Sequence, residues 1–513
     1  MKKIMKKLLF TTLLSFLVFN LTFGQEISVD WQPVETKNQQ LYFSKIIHST
    51  DKFYYKYVRD EKFNFTGIRY SQKIIMYNKK HEEINAIEFE NGVEHVEGGS
   101  LVVAKRIKEF IITNENIVLY YIKENEGKSG TQSHYLKSVP LNLDKQTDWM
   151  FIDNSKSVDV VKLIFNQFSN QIFFMKSDNK DKVEEDSKVL YKIIDPNTLD
   201  VIGKNDILVD ANLSDSRDVE VYAIAEDEIL IKAIINITGL VKLYRHELMS
   251  NSVSTTDFET KVNGVYWYDF TYNPLNKCFY LMTINKVVKK EDVNIYIERY
   301  LLETGDVEPI IINKLPYQII EENIKKNPNQ TEISTIFSKG NQFYLLFNMK
   351  ETVKTKVTKV SQDGRASSYI DVAYYNYSIG VVFFSSLNQI KWFHIIPRLS
   401  HFDNVSYYNS FYPIIHDDRL SIYFYDKRRM YDGLGNYMNV VKELKSIKGA
   451  DLAYCLYDST GFKKRQLAGG GMRLNKKLKK PFVNFYSIYP MGKDYLVSYN
   501  FKRKNALGIM KVK

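Results

Sequence analysis

The sequence predicts an all-β chain, and within that class a β-propeller of about seven or eight blades. Three observations carry the prediction. Aromatic-rich apolar runs recur at intervals centred near sixty residues, side chains within them alternate with the two-residue period of a strand, and turn-forming Asp, Asn and Gly punctuate them.

The runs begin DKFYYKYV at 51, NIVLYYIK at 116, NQIFFMKS at 170, DEILIKAI at 227, NKCFYLMT at 276, NQFYLLFN at 341, DRLSIYFY at 418 and KDYLVSYN at 493. Each reads as the first strand of a unit, followed by a polar hairpin and a second strand. Aromatic residues make up 14% of the chain, and flat rings pack well on a pleated surface. In the last run Tyr495, Val497, Tyr499 and Phe501 share one face, with Ser498, Asn500 and Lys502 on the other.

The second strands end in turns such as LNLDKQTDW, IIDPNTLDV, LLETGDVEP, VSQDGRASS and LYDSTGFKK. Asp144, Asp195, Glu303, Asp363 and Asp458 read as turn formers rather than catalytic acids, because a carboxylate caps the backbone of a tight reversal. Units of this length suit four-stranded blades better than a sandwich, which is complete in about 100 residues. The final unit, from Lys493, is too short for four strands. A strand from within residues 25–48, such as QQLYFSKIIH, is expected to complete it and close one propeller-like domain over residues 25–513. Two consecutive β domains are the structural alternative. Helical periodicity is confined to short pieces around YQIIEENIKK–TEISTIF and in NYMNVVKELKSIKG, where Val440, Leu444 and Ile447 would share a face before Gly449.

Residues 1–24 have the layout of a bacterial-type signal peptide. Lys2, Lys3, Lys6 and Lys7 precede an apolar stretch from Leu8 to Phe19, and Thr22 and Gly24 suit the −3 and −1 positions of a cleavage site that leaves Gln25 first. The stretch is short for a membrane span, so the mature chain is expected not to be integral to the membrane. Periplasm, outer-membrane periphery and medium all fit. Export allows Cys278 and Cys455 to pair if the fold joins them, although both lie in apolar strand contexts that suit a buried thiol.

The formal charge of +11 includes those four leader lysines, and the remaining bias is far from that of a nucleic-acid binder. One stretch, residues 461–480, is locally basic: Lys463, Lys464, Arg465, Arg473, Lys476, Lys477, Lys479 and Lys480 flank a Gly469-Gly470-Gly471 hinge. It reads as a candidate patch for an anionic partner, or as a solvated surface loop.

Residues 392–426 carry Trp392, the triplet Ile396-Pro397-Arg398, the pair Ser410-Phe411, and Asp418 and Leu420 at the start of a strand. This segment resembles one found in exported, uncharacterised β-propeller-like proteins of the Bacteroidota type, with His401 where a Gln is usual. The resemblance implies an exported propeller and implies no activity.

Zinc-helix, CxxC, nucleophile-elbow, phosphate-loop and EF-hand motifs are absent from the sequence, and no cofactor is expected. The acidic run 177–186 reads as a solvated hairpin loop rather than a calcium site. His394, His401, Asp403, His416, Asp417 and Asp418 form the densest polar cluster, a candidate metal or acid–base group if loops bring them together; the bland alternative places His394 in a strand beside Trp392. Tyr374, Tyr375, Tyr377, Tyr407 and Tyr408 are a candidate aromatic binding surface for sugars, or strand core. Together these features favour a non-catalytic exported binding or scaffold protein that recognises an envelope protein or glycan. A glycan hydrolase or lyase and a structural envelope-assembly component are the alternatives.

Overall fold

The computed structural model describes residues 27–31, 35–36, 42–64, 67–89, 93–97, 100–101, 107–124, 130–156, 159–178, 187–210, 213, 216–235, 241–248, 252–258, 267–273, 277–284, 293–315, 330–339, 342–360, 366–386, 389–403, 411–416, 419–444, 450–468, 488–501 and 504–512. Regular structure among them is β-strand, apart from a 3-10 turn at Arg428–Met430. The strands form eight antiparallel sheets in which chain order is largely spatial order, and the fold is an eight-bladed β-propeller. No helix among the described residues is long and apolar enough to cross a membrane.

The chain divides into two compact units, residues 37–262 and residues 1–36 with 263–513. In the first unit, the second blade consists of Ile107–Ile112, Asn116–Glu124, Thr131–Pro140 and Met150–Lys156, and the third of Val161–Asn166, Gln171–Asp178, Ser187–Ile194 and Val201–Val209. In the other unit, the sixth blade is Gln330–Lys339, Gln342–Val360, Ala366–Ser386 and Gln389–Asp403, and the seventh is Phe411–His416, Arg419–Lys427, Ala450–Asp458 and Gly461–Leu467.

All eight aromatic runs are strands, but each is the second of its sheet, not the first. A more polar strand precedes it. Second strands have a neighbour on either side and are buried on both faces, so they read as continuous apolar runs. Ile117, Val118 and Leu119 are fully buried in succession, as are Ile229, Leu230 and Ile231. Phe173, Met175, Tyr191, Ile229, Ile231 and Tyr244 form one core between the third and fourth blades; burying each such side chain contributes about 1.5–3 kcal/mol.

Side chains also clasp adjacent blades. Asn85 Nδ2 donates to the Asn142 carbonyl 57 positions on, Ser138 Oγ to the Pro196 carbonyl 58 on, and Asn166 Nδ2 to the Ala225 carbonyl 59 on. The repeat length read from the strands is therefore also the span of the cross-blade hydrogen bonds.

The last sheet orders Ile488–Met491, Asp494–Phe501 and Lys504–Val512, and Ile27–Trp31 pairs antiparallel with the third of these. The added strand lies upstream of QQLYFSKIIH, whose Tyr42–Ser49 instead opens the first blade against Phe53–Asn64. Val29 and Trp31 meet Met510 and Gly508, whereas Tyr42–Ser49 is held by the long aromatic strand beside it.

Neither helical expectation is met where the residues are described. TEISTIF lies within the strand Gln330–Lys339, consistent with its β-branched Thr331, Ile333, Thr335 and Ile336. Residues 431–444 form an irregular insertion in the seventh blade, tied down by bridges Tyr431–Tyr437, Asn436–Gln466 and Ser400–Leu444. Asn439, at φ 59, breaks any helix there. Residues 317–326 and 445–449 lie outside the described residues, as does the leader at 1–24.

Candidate functional site

The strands separate the polar cluster. His394 and His401 are on one strand, Gln389–Asp403, and seven residues at about 3.3 Å each put them roughly 20 Å apart, too far to share a metal ion. Asp403 is farther along the same strand, and His416 ends a strand of the next blade, opposite Arg419. Among the described residues no group of His, Cys, Asp and Glu is placed to hold a metal. Asp417 and Asp418 lie outside them.

His394 has a packing role. Its ring stacks on Phe462 at 4.4 Å, its Nδ1 is 2.8 Å from the Tyr457 hydroxyl, and burial, with Arg465 nearby, pushes its pKa down to about 4. Trp392 stacks on the same Tyr457, rings 5.3 Å apart and 8° from parallel. Trp392, His394, Tyr457 and Phe462 thus form part of the joint between the sixth and seventh blades. Ile396 and Leu420 lie in its core, and the Pro397 carbonyl accepts a hydrogen bond from Arg465.

Arg465 consequently leaves the basic patch. It is buried and ion-paired to Asp426, because its position on Gly461–Leu467 points inward in a strand that alternates. Lys463 is outward but paired to Asp458 at 3.0 Å, and Lys464 lies over the Tyr454 ring at 5.5 Å. Arg473, Lys476, Lys477, Lys479 and Lys480 fall outside the described residues.

Tyr374, Tyr375 and Tyr377 are in the long strand Ala366–Ser386, not a loop. Tyr375 packs against the core that contains Phe343 and Ile395, and Tyr377 falls where the pairing register shifts on both sides. Tyr407 and Tyr408 lie outside the described residues. The acidic run begins at Asp178, opposite Lys188, and its remainder, 179–186, is also outside them.

A different place has the shape of a site. Loops of the second blade and a turn of the third enclose a cleft of about 850 Å³. Its floor is Asn116 and Ser138, both buried, knit across the blades by Asn116 Nδ2 donating to Asn197 Oδ1 at 2.5 Å and by Ser138 Oγ on the Pro196 carbonyl. Asn197 and Thr198 are presented by an Asx turn in which Asp195 Oδ1 accepts from both their backbone N–H groups. Asp195 is one of the turn acids expected from the sequence.

On the opposite wall, Asn142, Lys145, Gln146 and Thr147 come from the connection between Thr131–Pro140 and Met150–Lys156. Asn114 and Glu115 stand in the hairpin turn before Asn116 and are exposed. Pro140 and Leu141 supply the apolar part of the lining. The backbone here is self-satisfied: Thr113 N bonds Asn116 O, Leu141 N bonds Glu115 O, and Thr147 N bonds Ser138 O. Sequence reading missed this cleft because Asn, Gln and Thr in turns are ordinary turn chemistry, and three separate turns must meet before they become a surface.

No protein-family model matches the chain, and no curated protein does. Similar solved structures include the β-propeller domain of the trilobed protease from Pyrococcus furiosus, at 11% identity over 85% of this chain and 99% of that one, TM-score 0.33. An acylaminoacyl peptidase from Pyrococcus horikoshii shows 10% identity over 78% of this chain and 59% of its own, TM-score 0.32. A protein from Lactobacillus plantarum shows 8% identity over 86% and 96%, TM-score 0.30. Likeness at this level adds nothing to what the strand pairing shows.

Proposed function

We propose that this chain is an exported binding or scaffold protein of the cell envelope, a propeller of the kind that residues 392–426 resemble, and that it holds its partner in the cleft between the second and third blades. The observation that carries the reading is the cleft itself: two neighbouring blades contribute polar side chains to one concave surface whose floor is locked by cross-blade hydrogen bonds. Binding sites are concave and few per protein, and this one has the volume of a small-ligand site. Glu115 is the single carboxylate among its lining residues, whereas a glycoside hydrolase needs two about 5–10 Å apart; this favours binding over the hydrolase alternative at this place. Export rests on the layout of residues 1–24.

The test has two arms. Fractionation of cells expressing the tagged chain is expected to place it outside the cytoplasm, shortened by a leader of the length of residues 1–24. The purified protein, immobilised, is expected to retain a discrete component of solubilised envelope. A full-length cytoplasmic product, or an empty column with both envelope protein and envelope glycan offered, overturns the reading.

A further inference from the structure

We infer that the cleft takes an uncharged saccharide, held by hydroxyl-to-amide hydrogen bonds; this rests on the binding reading above. Eight of the twelve lining residues carry amide or hydroxyl side chains, and its two charged members, Lys145 and Glu115, are of opposite sign. An anionic ligand would need an uncompensated cation, whereas Lys145 is matched by Glu115. Each amide offers two donors and an acceptor, the complement of neighbouring sugar hydroxyls, which both donate and accept.

A peptide is disfavoured by the backbone. A peptide that adds as a strand needs unpaired backbone groups along an edge, and around the cleft the N–H groups of Thr113, Leu141, Leu143 and Thr147 are already bonded within the chain. Asn116 is already committed to Asn197, which leaves the Asn197 amide N–H pair to face outward at an exposed position, as Asn114 and Thr198 do. Pro140 and Leu141 provide a small apolar surface for sugar C–H groups. The rim formed by Asn114, Asn197 and Thr198 is therefore the saccharide-contacting set, and the floor formed by Asn116 and Ser138 holds Asn197 in place.

The experiment is a calorimetric titration of the whole protein with maltohexaose, cellohexaose, chitohexaose and, as the acidic counterpart, hexagalacturonate. At least one neutral hexasaccharide is expected to bind. Asn114→Ala and Asn197→Ala should each weaken it by about tenfold, the loss of one or two hydrogen bonds, without lowering the melting temperature in Asn114→Ala. Raising ionic strength about tenfold should change affinity little, because no charge is being recognised. Binding of hexagalacturonate alone, lost with salt, overturns the inference. So does neutral-sugar binding that survives both Asn variants, or no sugar binding by a protein that still retains an envelope protein; in those cases the broader binding reading stands. If nothing is retained from the envelope and no sugar binds, both fail.

Discussion

Arg465 and Asp426 form an ion pair between side chains only 2% and 3% exposed. The carboxylate also accepts from the Tyr431 hydroxyl at 2.5 Å, and the guanidinium reaches the Pro397 carbonyl at 2.8 Å and the Tyr431 oxygen at 3.2 Å. Its plane sits 3.9 Å from the Tyr437 ring centre. A second buried guanidinium, Arg398, and Arg465 both lie against the Phe424 ring. Asp426 pairs directly with Arg465 and its charge also acts on Arg398, which offsets part of the desolvation of both cations.

Removing that anion leaves Arg465 and Arg398 buried without it. Asp426→Ala is expected to lower unfolding free energy by about 3–5 kcal/mol, measured by urea denaturation. Arg465→Lys should recover only part of the loss of Arg465→Ala, since an ammonium cannot reproduce three directed contacts with one planar fork. Full recovery by lysine would show that charge alone matters there.

Histidines shape the acid response: burial lowers the pKa of His48 and, further, those of His134 and His394. His134 lies between the Tyr120 hydroxyl, 2.6 Å from Nδ1, and Ser155 Oγ, 2.7 Å from Nε2, and burial pushes its pKa down to about 4, opposed by Asp153 and aided by Lys108 and Lys176. His394 is lowered to about 4 by burial and by Arg465. A folded pKa below the unfolded one means that the unfolded chain binds protons first. Stability is then intact above about 6.5 and falls as pH drops toward about 4, by up to about 3 kcal/mol for His134. Asp153, Asp210 and Glu220, held low by lysine partners despite burial, lose their contribution only as pH falls through and below the usual carboxylate range. Unfolding midpoints across pH 7 to 4 should decline, and His394→Phe should flatten the decline. An unchanged slope in that variant would remove His394 from the account.

The eight second strands were readable in the sequence because burial on both faces removes polar interruptions, as in Ile117–Tyr121 and Ile422–Tyr425. Their partners were less readable: Val161–Asn166 and Met150–Lys156 are half-exposed and their alternation is weak. The polar cluster misled because sequence distance says nothing of direction along a strand; His394 and His401 are near in number and far in space. Arg465 looked like surface charge because its inward position depends on pairing, Cys455 opposite it. The cleft was illegible for the converse reason, its walls coming from positions 114, 142 and 197 on three turns.

Asn166 tests the clasp between blades. It is fully buried; its Nδ2 donates to the Ala225 and Glu226 carbonyls at 2.8 and 3.1 Å, and its Oδ1 accepts from Phe168 N at 2.9 Å. Asn166→Ala is expected to cost about 2–3 kcal/mol, since it strips partners from several backbone groups at once. Asn166→Asp keeps the acceptor and removes the donors, so it should be at least as damaging: a carboxylate would face two carbonyl oxygens. If the Asp variant melts with the wild type, the donor half of the clasp contributes nothing.

The cysteines supply a sharper test, because the fold keeps apart two thiols that an oxidising setting would allow to pair. Cys278 and Cys455 are both free and buried, one in the core with Tyr280 and Phe343 and the other in the core with Ile422 and Tyr457. Burial raises both thiol pKa values, Cys455 to about 12, and the thiol rather than the thiolate is unreactive. A thiol-specific chromogenic reagent should therefore read close to zero groups in the native protein and two after denaturation, and a reducing agent should leave the melting temperature unchanged. Labelling of the native protein should proceed at the rate of unfolding, since a reagent reaches these sulfurs only when a blade opens. Fast labelling of either cysteine under native conditions, or stabilisation that is lost on reduction, would contradict the buried-thiol arrangement.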